Sequence, residues 1–111
     1  MDIRTEEFPR NITKVMLGGR LDSSGAVEIE LPFNTLATEK RALMIDLTAV
    51  TLLSSYGMRL LLVGARICAD KGGKLVIVCP ENHVAKVLRI ARFDALAPVF
   101  ASEAEALAAF S

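Results

Sequence analysis

The sequence predicts an α/β fold, a four- to five-stranded mixed sheet with helices mostly on one face. Three observations carry that expectation. Apolar, β-branched runs recur at Ile12 to Leu21, Ala42 to Leu47 and Lys74 to Cys79. Stretches of helical periodicity lie between and after them. The chain has 111 residues, of which 52% are hydrophobic, enough for the core of one domain and too few for two. Strands that alternate with helices imply a layered, partly parallel sheet. No linker, repeat or low-complexity segment divides residues 1–111, so a single domain is expected.

Taken in order, the first ten residues are assigned to an edge strand. Ile12 to Leu21 alternates apolar and polar residues as a strand does, and Gly18-Gly19 marks a bulge or a close backbone approach within it. Asp22-Ser23-Ser24 is a helix-start signal, and Ala26 to Thr38 follows as a helix that Pro32 is expected to bend or interrupt. Ala42 to Leu47 reads as a short buried strand, followed by a loop. Ser54 to Lys71 is the strongest helix, closed by Gly72-Gly73. Lys74 to Cys79 is a second buried strand, ended by Pro80. Glu81 to Arg92 places Val84, Val87, Leu88 and Ala91 on one helical face. Ser102 with Glu105 forms a capping box for a last helix, Glu103 to Phe110. The inward positions predict a core of Leu43, Ile45, Leu47, Leu61, Ala65, Cys68, Leu75, Ile77, Val84, Leu88 and Ala91.

Charge narrows the function. Lys plus Arg and Asp plus Glu both number 13, for zero formal net charge. Without a basic excess to neutralise phosphates, nucleic acid is not an expected ligand. No apolar run approaches the roughly 20 residues of a membrane span. The charged first ten residues lack the apolar centre of a signal peptide. A cytoplasmic protein without membrane insertion is expected, as a monomer or weak dimer.

Catalytic constellations are missing. There is no GxGxxG, GxxxxGK[ST] or GxSxG pattern. The two cysteines, Cys68 and Cys79, stand in apolar stretches and read as buried small hydrophobes. With only His83 beside them they do not complete a zinc site, so no metal or cofactor is expected. His83 itself reads as a solvated or capping residue. Asp22 and Asp46 could form a carboxylate pair, but aspartates at strand ends more often serve turns. No enzyme is expected.

The informative stretch runs Ile45-Asp46-Leu47-Thr48-Ala49-Val50-Thr51-Leu52-Leu53-Ser54-Ser55-Tyr56-Gly57-Met58-Arg59-Leu60-Leu61-Leu62. It resembles the signature of the STAS family, which includes anti-sigma factor antagonists: a strand ending in Asp-Leu, a short loop, and a Ser-rich turn with Gly opening a helix. Gly19-Arg20-Leu21-Asp22, Gly72-Gly73-Lys74-Leu75-Val76-Ile77-Val78, Val87-Leu88 with Phe93, and Pro98-Val99-Phe100 extend the resemblance over nearly the whole chain. It implies a STAS-like fold and a phosphoprotein that regulates transcription by partner switching. The implied partners are a serine-kinase anti-sigma factor and a metal-dependent serine phosphatase. The turn differs from the best-known antagonists, which carry Asp-Ser-Ser/Thr-Gly with the phosphoacceptor next to Gly. Here Ser54 replaces the aspartate, Tyr56 holds the usual acceptor position, and Ser55 stands two residues before Gly57.

Helix geometry separates the two serines. At about 100° per residue, Arg59, Arg66 and Asp70 fall within about 40° of one another and define a solvent face. Ser55 projects about 40° from Arg59, whereas Ser54 projects about 140° away, towards the sheet. Ser54 is therefore the expected N-cap, accepting from the amide of Tyr56 or Gly57. Ser55 is the expected phosphorylation site, with Ser54 as the alternative; both could also do no more than start the helix. The expected partner surface comprises Asp22, Ser55, Tyr56, Gly57, Met58, Arg59, Leu62 and Val63. A constitutive scaffold or accessory subunit of a signalling or lipid-transport complex, without phosphorylation, is the competing reading, and the bulk of Tyr56 suits it.

Overall fold

Alternating side chains and an unbroken register make the first hairpin. In the computed structural model, which describes residues 1–110, Asp2–Phe8 forms β1 and Ile12–Leu21 forms β2, antiparallel to it from Asp2↔Gly18 to Phe8↔Ile12. A 3-10 turn at Pro9–Asn11 joins them. α1 (Ser23–Glu39) leads to β3 (Ala42–Leu53), α2 (Ser55–Asp70) to β4 (Lys74–Val78), and α3 (His83–Ile90) to β5 (Val99–Phe100), before α4 (Glu103–Ala108). The five strands lie side by side in the order β1-β2-β3-β4-β5, with β2 to β5 mutually parallel. The mixed five-stranded sheet is the expected fold class. Ser111, the last residue of the expected single domain, lies outside the described residues.

Two apolar layers sandwich the sheet. The larger joins Val15, Leu17 and Leu21 of β2 and Leu43, Ile45 and Leu47 of β3 with Ile29 and Phe33 of α1, Leu61 and Cys68 of α2, and Val84 and Leu88 of α3. The smaller joins Ile12, Met44, Val76 and Val78 with Ala106 of α4. Three helices thus cover one face and only the short α4 the other. Of the expected core, only Ala91 is exposed. α3 is shorter than predicted and ends at Ile90. The chain then passes into a left-handed conformation at Arg92 (φ 56), so position 91 is not carried inward. Ala85 is buried in that layer instead.

Two other expectations need correction. β3 does not end at Leu47 but continues to Leu53, paired with β2 across register shifts at Gly18 and Gly19. Gly19 takes φ +104, the conformation that the bulge requires and that glycine adopts without penalty. α1 begins earlier than predicted and runs uninterrupted through Pro32. Pro32 is exposed, so water meets the carbonyl that its missing N–H leaves unbonded, while Ile29, Phe33 and Ala37 hold the opposite face in the core.

α2 closes as its two glycines predict. Gly73 N–H bonds the Cys68 carbonyl at 2.8 Å and Gly72 N–H the Ala69 carbonyl at 3.0 Å. Gly72 is at φ +78. This is the Schellman arrangement that satisfies the last carbonyls of a helix.

Candidate functional site

Parallel pairing of β2 with β3 ends at Leu21↔Leu53, so the helices that follow these neighbouring strands begin side by side. Each start is capped by its own side chain. Asp22 Oδ1 accepts from Gly25 N–H at 2.9 Å, and Ser54 Oγ accepts from Gly57 N–H at 3.3 Å. Such caps satisfy donors that the first helical turn leaves open. The hydrogen bond from Gly25 holds the Asp22 carboxyl below its ordinary pKa. Partial desolvation opposes that shift and Arg20, 3.5 Å away, assists it.

Ser54 has a second role. Its hydroxyl donates to the Leu21 carbonyl at 3.0 Å, and its backbone N–H reaches the same oxygen at 3.0 Å. The start of α2 is thereby tied to the end of β2. Gly57 makes the tie possible by close approach: a Cβ there would come within 2.5 Å of Leu21 Cγ and 2.6 Å of the Leu21 carbonyl.

Ser55 is the first residue of α2 and is exposed, as its helical phase predicts. With Ser54 engaged on the sheet side, Ser55 presents its hydroxyl to solvent beside the positive end of the helix dipole. Tyr56 is 63% exposed and Val63 38%, and Arg59 is exposed on the same helix. Met58 and Leu62 are half-buried against the main core, so each offers only part of its surface. Gly57 is buried and shapes the site from beneath. Asp22 anchors the neighbouring helix start.

A part of this surface escapes sequence reasoning. Tyr56, Arg59 and Val63 share a groove of about 290 Å³ with Ser23, Val27, Glu30 and Asn34 of α1. Val27 and Leu31 are 74% and 78% exposed. Two large apolar residues one helical turn apart in a stretch otherwise headed for the core were the available signal.

The remaining candidates have structural uses. His83 Nε2 lies 2.6 Å from the Thr51 carbonyl, and Asn82, not His83, caps α3 through Ala85 N–H. Asp46 binds Thr48 and pairs with Lys14 at 3.6 Å, whereas Asp22 faces Gly25 and Arg20. The two aspartates thus serve separate partners. Burial raises the pKa of both Cys68 and Cys79. Among the described residues no cluster of three or more His, Cys, Asp or Glu side chains could hold a metal ion. No helix among them is long and apolar enough to cross a membrane.

The sequence profile described as STAS domain matches residues 3–106. No curated protein matches the chain. Several solved structures share the fold. An anti-sigma factor antagonist from Mycobacterium paratuberculosis is 24% identical, with a TM-score of 0.84 over 97% of this chain and 93% of its own. An anti-sigma-factor antagonist (STAS) domain protein from Planctomyces limnophilus is 22% identical, with a TM-score of 0.84 over 98% and 97%. The Bacillus cell fate determinant SpoIIAA in its phosphorylated form is 19% identical, with a TM-score of 0.72 over 99% and 100%.

Proposed function

The chain belongs to the STAS domain family of non-enzymatic binding modules, and from that premise we propose that it is a cytoplasmic partner switch in which phosphorylation of Ser55 controls docking. The observation that carries this reading is the division of labour between adjacent serines. Ser54 is held by Leu21 and Gly57, and Ser55 stands exposed at the helix start. A phosphate on Ser55 adds roughly −1.5 to −2 charge units next to the positive end of α2. The fold tolerates it there, while a partner surface shaped for a neutral hydroxyl does not. The proposed partners are a serine-kinase anti-sigma factor, which binds the unmodified form, and a metal-dependent serine phosphatase, which restores it. Asp22, Tyr56, Met58, Arg59, Leu62 and Val63 supply the remainder of the docking surface, over the packing that Gly57 allows.

A constitutive scaffold is the second reading. It is favoured by Tyr56, whose large exposed ring beside Val63 and Val27 suits a permanent interface. Recovery of the protein with its partners from its own cells, followed by mass spectrometry of the partner and of Ser54, Ser55 and Tyr56, distinguishes them. The switch predicts a kinase partner and phosphate on Ser55. A stable partner without kinase activity, and no phosphate on the three residues, selects the scaffold.

A further inference from the structure

We propose that the outer edge of β1 is a self-pairing surface, on which two copies of this chain join antiparallel about a two-fold axis at Thr5 and continue the sheet. β1 pairs with β2 along one side only and is a terminal strand of the sheet. An edge strand presents a row of unpaired N–H and C=O groups, a template for another strand. Two of the usual obstacles are missing from its interior, while a third, charge, stands at Arg4 and Glu6. It contains no proline, and its seven-residue register with β2 runs without a bulge.

Charge, together with the length of strand engaged, selects the partner and the register. Residues opposite one another across a two-fold axis perpendicular to the sheet keep the same side-chain face, so the axis must pass through a residue. Centred on Arg4, the pairing sets Arg4 against its own copy and Asp2 against Glu6, both repulsive. Centred on Glu6, it sets Glu6 against itself, and centred on Ile3 it sets Asp2 against Arg4 but engages only Asp2 to Arg4 of the strand. Centred on Thr5, it sets Arg4 against Glu6 of the second copy twice over, with the two Thr5 side chains facing each other. Opposite charges and threonine pairs are favourable cross-strand neighbours. Arg4 and Glu6 are both exposed; Arg4 forms no ion pair among the described residues, and Glu6 lies opposite Lys14 in the hairpin, whose charge it supports without a close contact. Asp2 then faces Phe8, and Ile3 lies along the aliphatic stem of Glu7.

The α1 side of the edge favours the same occupant. Ile3 and Thr5 line an open groove with Pro32, Thr35 and Leu36. A second copy brings its own identical groove against it across the axis, so apolar area beside the new strand pair is covered as well. β1 is separated by β2 from β3, beyond whose end Ser55 opens α2. Self-pairing therefore needs no residue of the proposed docking surface, and either proposal can fail alone.

The test is sedimentation velocity on the full chain over a wide concentration range, with a charge swap. Wild type is expected to show reversible monomer–dimer exchange. Arg4→Glu and Glu6→Arg, each turning two attractions into repulsions, are expected to weaken the dimer about tenfold. The double variant Arg4→Glu/Glu6→Arg restores the pairing and is expected to recover it. Thr5→Cys supplies a second readout, because a residue on the axis meets its own copy. It is expected to form a disulfide-linked dimer on mild oxidation, whereas Glu7→Cys is not. A wild type that stays monomeric at every concentration, or a double variant no better than the single ones, overturns the proposal. So does equal cross-linking at positions 5 and 7.

Discussion

Ser54 Oγ donates to the carbonyl of Leu21 at 3.0 Å, across 33 positions of sequence. One hydroxyl therefore caps α2 and fastens it to the end of β2, and Ser55 is left outside that network. One of the two adjacent serines is thus committed to structure, and the other is the proposed site of regulation.

Ser54→Ala is expected to lower stability by about 0.5–2 kcal/mol through loss of the cap. Ser55→Ala, on the exposed face, is expected to stay within about 0.5 kcal/mol of wild type. Paired thermal melts measure both. Equal effects would mean that the cap is not where the geometry puts it.

Gly57→Ala is expected to destabilise by about 1–3 kcal/mol, because its Cβ overlaps Leu21 at a contact that α2 cannot leave without losing its cap. Gly18→Ala serves as the control. Its nearest neighbour, Ala49 Cβ, stands at an ordinary 3.5 Å, so a change of about 1 kcal/mol or less is expected. Urea unfolding of the two variants gives the comparison.

Leu61 is fully buried between α2 and the sheet. Leu61→Ala is expected to cost about 2–5 kcal/mol, through lost burial and the cavity left behind. A loss below 1 kcal/mol in denaturant unfolding, the scale of a surface change, would show that α2 repacks freely.

Acid unfolding should carry the signature of Asp22. The Gly25 N–H holds its folded pKa below the ordinary carboxylate value. Its contribution to stability is thus present above the unfolded pKa of about 3.9. It is lost as pH falls through the lower folded value. Asp22→Asn keeps a good cap but removes the titration. Its stability is expected to fall less steeply with acid than that of wild type, as measured by thermal melts at a series of pH values. Identical slopes would contradict the assignment.

Local signals in the sequence reach the site well, because capping and helical phase depend on neighbours a few residues apart. The expectation that Ser54 caps while Ser55 and Arg59 face solvent agrees with the observed arrangement. Long-range pairing was less legible. β3 beyond Leu47 is exposed at Thr48, Ala49 and Thr51 and lacks the apolar run of its first half. It stays extended because β2 pairs with it through two register shifts that nothing in the local pattern announces. Pro32 suggested a break in α1, but its exposure and the anchoring of Phe33 decide otherwise. Val27 and Leu31 were missed because their exposure depends on how α1 lies against α2.

Calorimetric titration of the proposed partner, a serine-kinase anti-sigma factor, with wild type, Ser55→Ala and Ser55→Glu tests the proposed switch most directly. Tight binding by wild type and Ser55→Ala is expected, with phosphate transferred to Ser55 of wild type only. Ser55→Glu, which carries less charge than a phosphate, is expected to bind about tenfold or more weakly. Undiminished binding by Ser55→Glu, together with no phosphate on Ser55, would contradict phosphorylation control and leave the constitutive scaffold in its place.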